Sequence, residues 1–263
     1  MKRMEQIAYL SQWLLQEMPE LRSQAAAFTR DEQAQRRLLR SLMNVRPPKQ
    51  LHPDFLKVQD ELLSMEREEK GVVDAALLPD VPGHSGIALW QGDITRLKAD
   101  AIVNAANYAM LGCFCPCHGC IDNAIHSAAG VQLRDECNRI MQSQGHEEPT
   151  GTAKLTKGYN LPARYVLHTV GPIVYHRVTD RDRQELTSCY RSCLELAAKC
   201  NLKTVAFCCI STGEFHFPNR EAAEIAVKTV TDFLQQDSSI QKVIFNVFKD
   251  LDAKIYRELL GAD

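Results

Sequence analysis

The sequence predicts an α/β domain with a largely parallel sheet, carried behind an N-terminal helical extension. Three observations predict it. From Ile87 onward, short apolar runs alternate with segments of helical period, the pattern of repeated strand–helix units. Up to about residue 70 the period is helical throughout. The chain has 263 residues, 45% of them hydrophobic, enough for one or two domains around a sizeable core.

The first segment, MKRMEQIAYLSQWLLQEMPE, sets Ile7, Leu10, Trp13, Leu14, Met18 and Leu21 at helical spacing among polar residues. That marks an amphipathic helix and not a signal peptide. DEQAQRRLLRSLMNV makes a second run, ended by Pro47 and Pro48. FLKVQDELLSMEREEKG makes a third, starting after Pro53 and capped by Gly71. These runs make residues 1–70 the helical extension. Arg36, Arg37 and Arg40 read as a solvated helix face balanced by Asp31 and Glu32, in preference to a phosphate patch. VVDAALLPDVPGHSG carries two prolines and two glycines, so residues 71–85 form a linker or a wrapping strap. Residues 86–263 form the main domain. In it IALWQ, AIVNA, AKLTKGY, YVLHTV, TVAFCCI and KVIFNVF are the predicted strands. IDNAIHSAAGVQLRDECNRIMQ, RQELTSCYRSCLELAAKC and NREAAEIAVKTVTDFLQQ are the predicted helices.

Charge excludes some functions. Lys and Arg total 31 against 33 Asp and Glu, a formal charge of −2. A general nucleic-acid coat or a polybasic membrane patch is not expected. An anionic ligand would have to be held by backbone N–H groups and helix ends. No run of apolar residues is long enough to span a bilayer. Ten cysteines without a secretory signal point to reduced thiols and a cytoplasmic location. A monomer is expected.

In a parallel sheet, ligands sit beyond the C-terminal strand ends. Four loops fall there. In QGDIT, Asp93 follows a strand, where a carboxylate accepts either from an exocyclic amine such as adenine's or from its own turn backbone. In VNAAN, Asn104 and Asn107 offer donor and acceptor together, as ribose hydroxyls require, or serve as turn residues. LGCFCPCHGCIDNAIHSAAG crowds Cys113, Cys115, Cys117 and Cys120 around His118, just before a helix start. Thiolates and imidazole are zinc ligands. The spacing is not that of a ribbon zinc, and no second Cys/His cluster lies nearby in sequence, so three ligands with an open fourth position fit best. The pattern leaves open which three of the five bind; buried thiols without metal are the alternative. Asp122 then either complements the helix dipole or orients a water or sugar hydroxyl, and His126 reads as a helix-face residue. In ISTGEFHFP, Ser211, Thr212 and Gly213 let the backbone approach a diphosphate. Glu214 would have to point away from phosphate. Phe215, Phe217 and Phe248 either stack on the ligand or belong to the core.

In order along the chain, GDIT, VNAAN, IDNAIHSAAG, HTVGP (His168 to Pro172) and ISTGEFHFP resemble the macrodomain family, of the MacroD-type ADP-ribose hydrolases. The resemblance covers about residues 86 to 250 and implies a three-layer α/β/α fold that binds ADP-ribose. Where ordinary members carry a glycine run, GCFCPCHGC is similar to the zinc-containing subgroup, which also has an N-terminal helical extension. The subgroup's Cys-x4-His-x-Cys pattern falls on Cys113, His118 and Cys120, leaving Cys115 and Cys117 spare. The resemblance further implies that Asp93 takes the adenine amine and the Ile94 N–H reaches a phosphate. Asn107, Cys120, Asp122 and Asn123 would contact ADP-ribose at the distal ribose. Ser211, Thr212, Gly213, Glu214 and Phe215 would wrap the diphosphate and distal ribose. Glu214 and His216 depart from the ordinary MacroD loop.

The expected activity is zinc-dependent hydrolysis of mono-ADP-ribose from Asp or Glu side chains of proteins, with Asp122 the catalytic carboxylate. A carboxylate leaving group needs no strong general acid, and none is evident in the sequence. The alternatives are a non-catalytic ADP-ribose reader and an O-acyl-ADP-ribose deacylase. Expected partners are ADP-ribose and mono-ADP-ribosylated protein.

Overall fold

A computed structural model describes residues 1–50, 52–237 and 239–262. Among the described residues eight strands form: β1 (Val73–Asp74), β2 (Ile87–Gln91), β3 (Leu97–Lys98), β4 (Ala101–Ala106), β5 (Ala153–Lys157), β6 (Tyr165–Val170), β7 (Thr204–Phe207) and β8 (Lys242–Val247). Six of them make one sheet in the order β2-β8-β7-β4-β6-β5. All its pairs are parallel except β5 with β6. Strands β4, β7 and β8 are covered on both faces, which is why they read as mostly apolar runs.

Helices α5 (Ile121–Ala129) and α6 (Val131–Gln144) lie on one face, and α7 (Asp180–Lys199), α8 (Asn219–Gln236) and α9 (Asp250–Leu260) on the other. The alternation of β6 shows this directly, since successive strand residues point to opposite faces. His168 meets Cys137 of α6 and His126 of α5. Its neighbour Thr169 meets Cys189 of α7. On that second face, Tyr190 of α7 stacks near Phe207 while Tyr256 of α9 stacks near Phe245, each pair 5.0 Å apart. The three-layer α/β/α arrangement is therefore as expected.

The extension comprises α1 (Arg3–Glu17), α2 (Arg22–Ala25), α3 (Glu32–Val45) and α4 (Pro53–Lys70). Its apolar faces bury a second cluster, with Leu10, Leu14, Leu39, Phe55 and Leu62, which reaches Val131 of α6. The join to the main domain is polar. Gln59 of α4 donates to Gln132 Oε1 at 2.7 Å and accepts from the Val131 N–H at 3.0 Å. Arg134 donates to the carbonyls of Met43 and Arg46 at 3.0 and 2.6 Å. The helices thus pack on their own chain. Residues 71–85 act as a strap: β1 pairs with β3, and Ala75 and Val81 enter the main core.

Two readings need correction. The segment 121–142 is two helices, not one, broken at Gly130 with φ +95°. Helix α9 carries its apolar residues on one face but was not expected from the sequence.

Candidate functional site

The C-terminal ends of β2, β4, β6, β7 and β8 open into one cavity of about 770 Å³. Their following loops supply its walls, so the chain topology, and not any one motif, assembles the site.

After β2, Asp93 caps a single 3₁₀ turn, accepting from the Thr95 N–H at 3.0 Å and the Thr95 hydroxyl at 2.7 Å. The turn reading is met, and Asp93 also lines the cavity next to Ile94. After β4, Asn107 turns its amide inward, donating to the Gly112 carbonyl at 3.1 Å and lying 3.4 Å from Asp122 Oδ2.

The thiol loop brings Cys113, His118 and Cys120 together, with their donor atoms all within 4.8 Å of one another. His118 Nδ1 is buried and has no hydrogen-bond partner. Two sulfurs and one orphaned imidazole nitrogen, with no lysine or arginine donor among them, form a donor set that fits a borderline-soft divalent ion. Cys120 is also the N-cap of α5, its sulfur 3.4 Å from the Asn123 N–H. Burial, then the neighbouring Cys113 and Asp122 charges, push its thiol up to about 12 against that N–H. Cys115 is exposed, while Cys117 Sγ lies 3.2 Å from Ser41 Oγ on α3.

Asp122 sits on the first turn of α5, almost fully buried, at the floor of the cavity. Burial raises its carboxyl to about 6, while the Asn104 amide and the Arg134 charge pull it down. Asn104 Nδ2 donates to Asp122 Oδ1 at 2.8 Å and to His168 Nδ1 at 3.1 Å. His168 then carries its proton on Nε2, 2.8 Å from Thr156 Oγ1. β4 and β6 pair Asn104 directly with His168, which aims both side chains under α5. His126 is buried here too, 3.5 Å from Asp122 Oδ1, and burial holds it neutral. His126, Cys137 and His168 make a second His/Cys group that the linear spacing did not disclose.

After β7, Ser211 adopts a left-handed φ of +64°, and its hydroxyl is buried without a partner. Ser211, Thr212, Gly213, Glu214 and Phe215 all line the cavity. The Glu214 carboxylate comes 3.7 Å from His118 Nε2. Phe217 is core, whereas Phe248 is exposed at the cavity mouth.

Asn123 departs from expectation. Its side chain is fully buried and faces the thiol loop, donating to the Cys115 carbonyl at 2.9 Å and accepting from Arg40 at 2.7 Å. It supports the loop behind the cavity and does not line it. Arg40 also departs, since it reaches the cavity wall and donates to the His118 carbonyl at 3.3 Å. The reading of a solvated arginine face fails at that residue because a helix flank open to solvent and one docked on a polar loop have the same composition.

A likeness of fold and site now has a family attached. Residues 103–226 match the family model of the Macro domain. The chain belongs to the macrodomain family. Its relatives include the protein-ADP-ribose hydrolase of Treponema medium, 51% identical over 263 residues, 99% of this chain and 100% of that one. The protein-ADP-ribose hydrolase of Staphylococcus aureus strain Mu50 is 51% identical over 227 residues, 86% of this chain and 85% of the relative. Among solved structures, the Trypanosoma brucei macrodomain in complex with ADP-ribose aligns with a TM-score of 0.67 at 34% identity, over 84% of this chain and 95% of that one. The Oceanobacillus iheyensis macrodomain with ADP aligns with a TM-score of 0.61 at 38% identity, over 66% of this chain and 90% of that one. No helix among the described residues is long and apolar enough to cross a membrane.

Proposed function

We propose that the chain is a zinc-dependent hydrolase that removes mono-ADP-ribose from Asp or Glu side chains of proteins. One observation carries the reading: the donors of Cys113, His118 and Cys120 converge on the same cavity that holds the buried Asp122. The relatives named protein-ADP-ribose hydrolase support it.

In this reading Asp93 accepts the adenine amine and the Ile94 N–H meets a phosphate. Ser211, Thr212 and Gly213 present N–H groups and hydroxyls to the diphosphate, which suits a chain with no net positive charge. Glu214 stays clear of phosphate through its approach to His118. Asn107 and Asp122 face the distal ribose. Cys113, His118 and Cys120 would hold a zinc ion, which would supply Lewis-acid charge when bound. With its carboxyl near 6, Asp122 is ionised at neutral pH and can orient the attacking water or a ribose hydroxyl. Water adds at the distal-ribose C1″ and the C1″–O bond to the acceptor carboxyl breaks; the water oxygen becomes the anomeric hydroxyl and its released proton passes to Asp122 and on to solvent. The products are ADP-ribose and the restored acidic side chain, which leaves as an anion. Neutral His126 lies below Asp122 and cannot serve as a charged proton donor.

The test is elemental analysis of the purified chain together with ADP-ribose release from acceptors modified at Asp/Glu, at Arg and at Ser, and from O-acyl-ADP-ribose. Zinc at one per chain and release from the acidic acceptor alone are expected. Cys120→Ala is expected to stay folded and lose both zinc and turnover; full turnover without zinc overturns the metal role. ADP-ribose binding with no release on any arm makes the chain a reader, and release only from the small ester makes it a deacylase.

A further inference from the structure

We propose that α3 of the N-terminal extension is a brace that shapes the thiol loop for its metal, with Asn44 as the main positioning residue. The proposal rests on the metal reading above.

Asn44 is 2% exposed and spends its whole amide on the site. Its Oδ1 accepts from the Cys117 N–H at 2.8 Å, and its Nδ2 donates to Ser127 Oγ on α5 at 3.0 Å. One side chain therefore ties α3, the loop and α5 together. One turn earlier, Ser41 Oγ lies 3.2 Å from Cys117 Sγ, and Arg40 grips the His118 carbonyl and Asn123. Asn123 in turn holds the Cys115 carbonyl at 2.9 Å.

Cys117 has a φ of +51°, left-handed and costly for a residue with a Cβ. This bend turns the chain back so that Cys113 and Cys120 flank His118. The Asn44 bond falls on the strained residue itself. Cys117 is outside the converging set of donors, so its place in the loop is explained as the brace contact and not as a ligand. The loop has little regular structure of its own, and an ion binding to it would otherwise bear the cost of ordering it. Partners that fix ligand orientation from outside the first coordination shell are typically worth about 10–100-fold in metal affinity.

The experiment uses the full chain, zinc-loaded, and follows zinc release to a chelator. It also records the visible spectrum of the cobalt-substituted protein and the binding of ADP, which lacks the distal ribose. Asn44→Ala is expected to release zinc about 10–100-fold faster, to change the cobalt–thiolate bands, and to bind ADP as before. Asn44→Asp keeps an acceptor for the Cys117 N–H and is expected to restore retention. Asn44→Leu fills the volume without the polar ties, keeps the test open if the alanine variant misfolds, and is expected to behave as the alanine variant does. Unchanged release and spectrum in Asn44→Ala or Asn44→Leu overturn the brace. If the parent chain takes up neither ion, the metal reading fails by itself. The brace is then read from alkylation of Cys113 and Cys120 in the metal-free chain: faster labelling in the variants supports it and equal rates overturn it.

Discussion

Asp93 joins a backbone cap to a place in the cavity wall. Its carboxylate caps the 3₁₀ turn through Thr95, and the same group lines the cavity. Asp93→Asn keeps an oxygen for the cap and removes the charge. On the proposed adenine contact it is expected to weaken ADP-ribose binding about tenfold or more, with stability unchanged. Asp93→Ala is expected to lose the same affinity and about 1 kcal/mol of stability besides. Calorimetric titration and denaturant melts of the two variants measure these effects separately. Asp122 makes a complementary case. Asp122→Asn keeps the Asn104 contact geometry but removes the ionised group. It is expected to lower turnover by about 10²–10⁴-fold while ADP-ribose still binds; turnover near the parent rate would exclude it as the catalytic carboxylate.

Among the elements, the corner between α5 and α6 turns on one glycine. Gly130 ends one helix and starts the other at φ +95°, and a Cβ there would come within 2.6 Å of Gln132 Oε1 and Gln59 Nε2. Gly130→Ala is expected to cost about 1–3 kcal/mol, read in a denaturant melt. It also disturbs the Gln59 contacts that dock the extension. A melt within error of the parent would show that the corner relaxes freely. Sequence periodicity ran the two helices together because the apolar spacing continues through Gly130. The direction change comes from a backbone conformation that only glycine adopts readily. The α3 face gives the same lesson. Arg36, Arg37 and Arg40 share a helix, yet Arg36 pairs with Glu66 at 2.5 Å while Arg40 turns to the thiol loop.

For the molecule as a whole, the buried network beneath the sheet sets the response to acid. Burial lowers His168 to about 3 from an ordinary 6.5. Between those values the unfolded chain takes up a proton that the folded chain refuses, so stability falls as pH drops below about 6.5. His126, also lowered by burial, acts in the same direction. Asp122 acts in the opposite direction: raised to about 6 from 3.8, it binds its proton first in the folded state and offsets part of the loss as pH falls through that window. Two histidines outweigh one carboxyl. The Tm of the metal-free chain is expected to decline on acidification from neutral pH, and Asp122→Asn is expected to steepen the decline between about pH 6 and 4. Parallel Tm-against-pH curves for parent and variant would refute this account.

The amino-acid order by itself determined the alternation of strands and helices, the helical extension, and the loops at the C-terminal strand ends. Those are local patterns of period 2 and 3.6, punctuated by glycine and proline, and they survive without knowledge of distant partners. It also placed five candidate donors in one loop; the family resemblance, and not the spacing, selected Cys113, His118 and Cys120, and the fold brings those three together. Only the tertiary structure decided that Asn44 and Arg40 hold that loop from across the chain, that Asn123 faces away from the cavity, and that His126, Cys137 and His168 meet below Asp122. Each of those contacts joins elements far apart in sequence. A buried polar side chain satisfied by a distant carbonyl has the same local signature as one facing water, so packing alone distinguishes them.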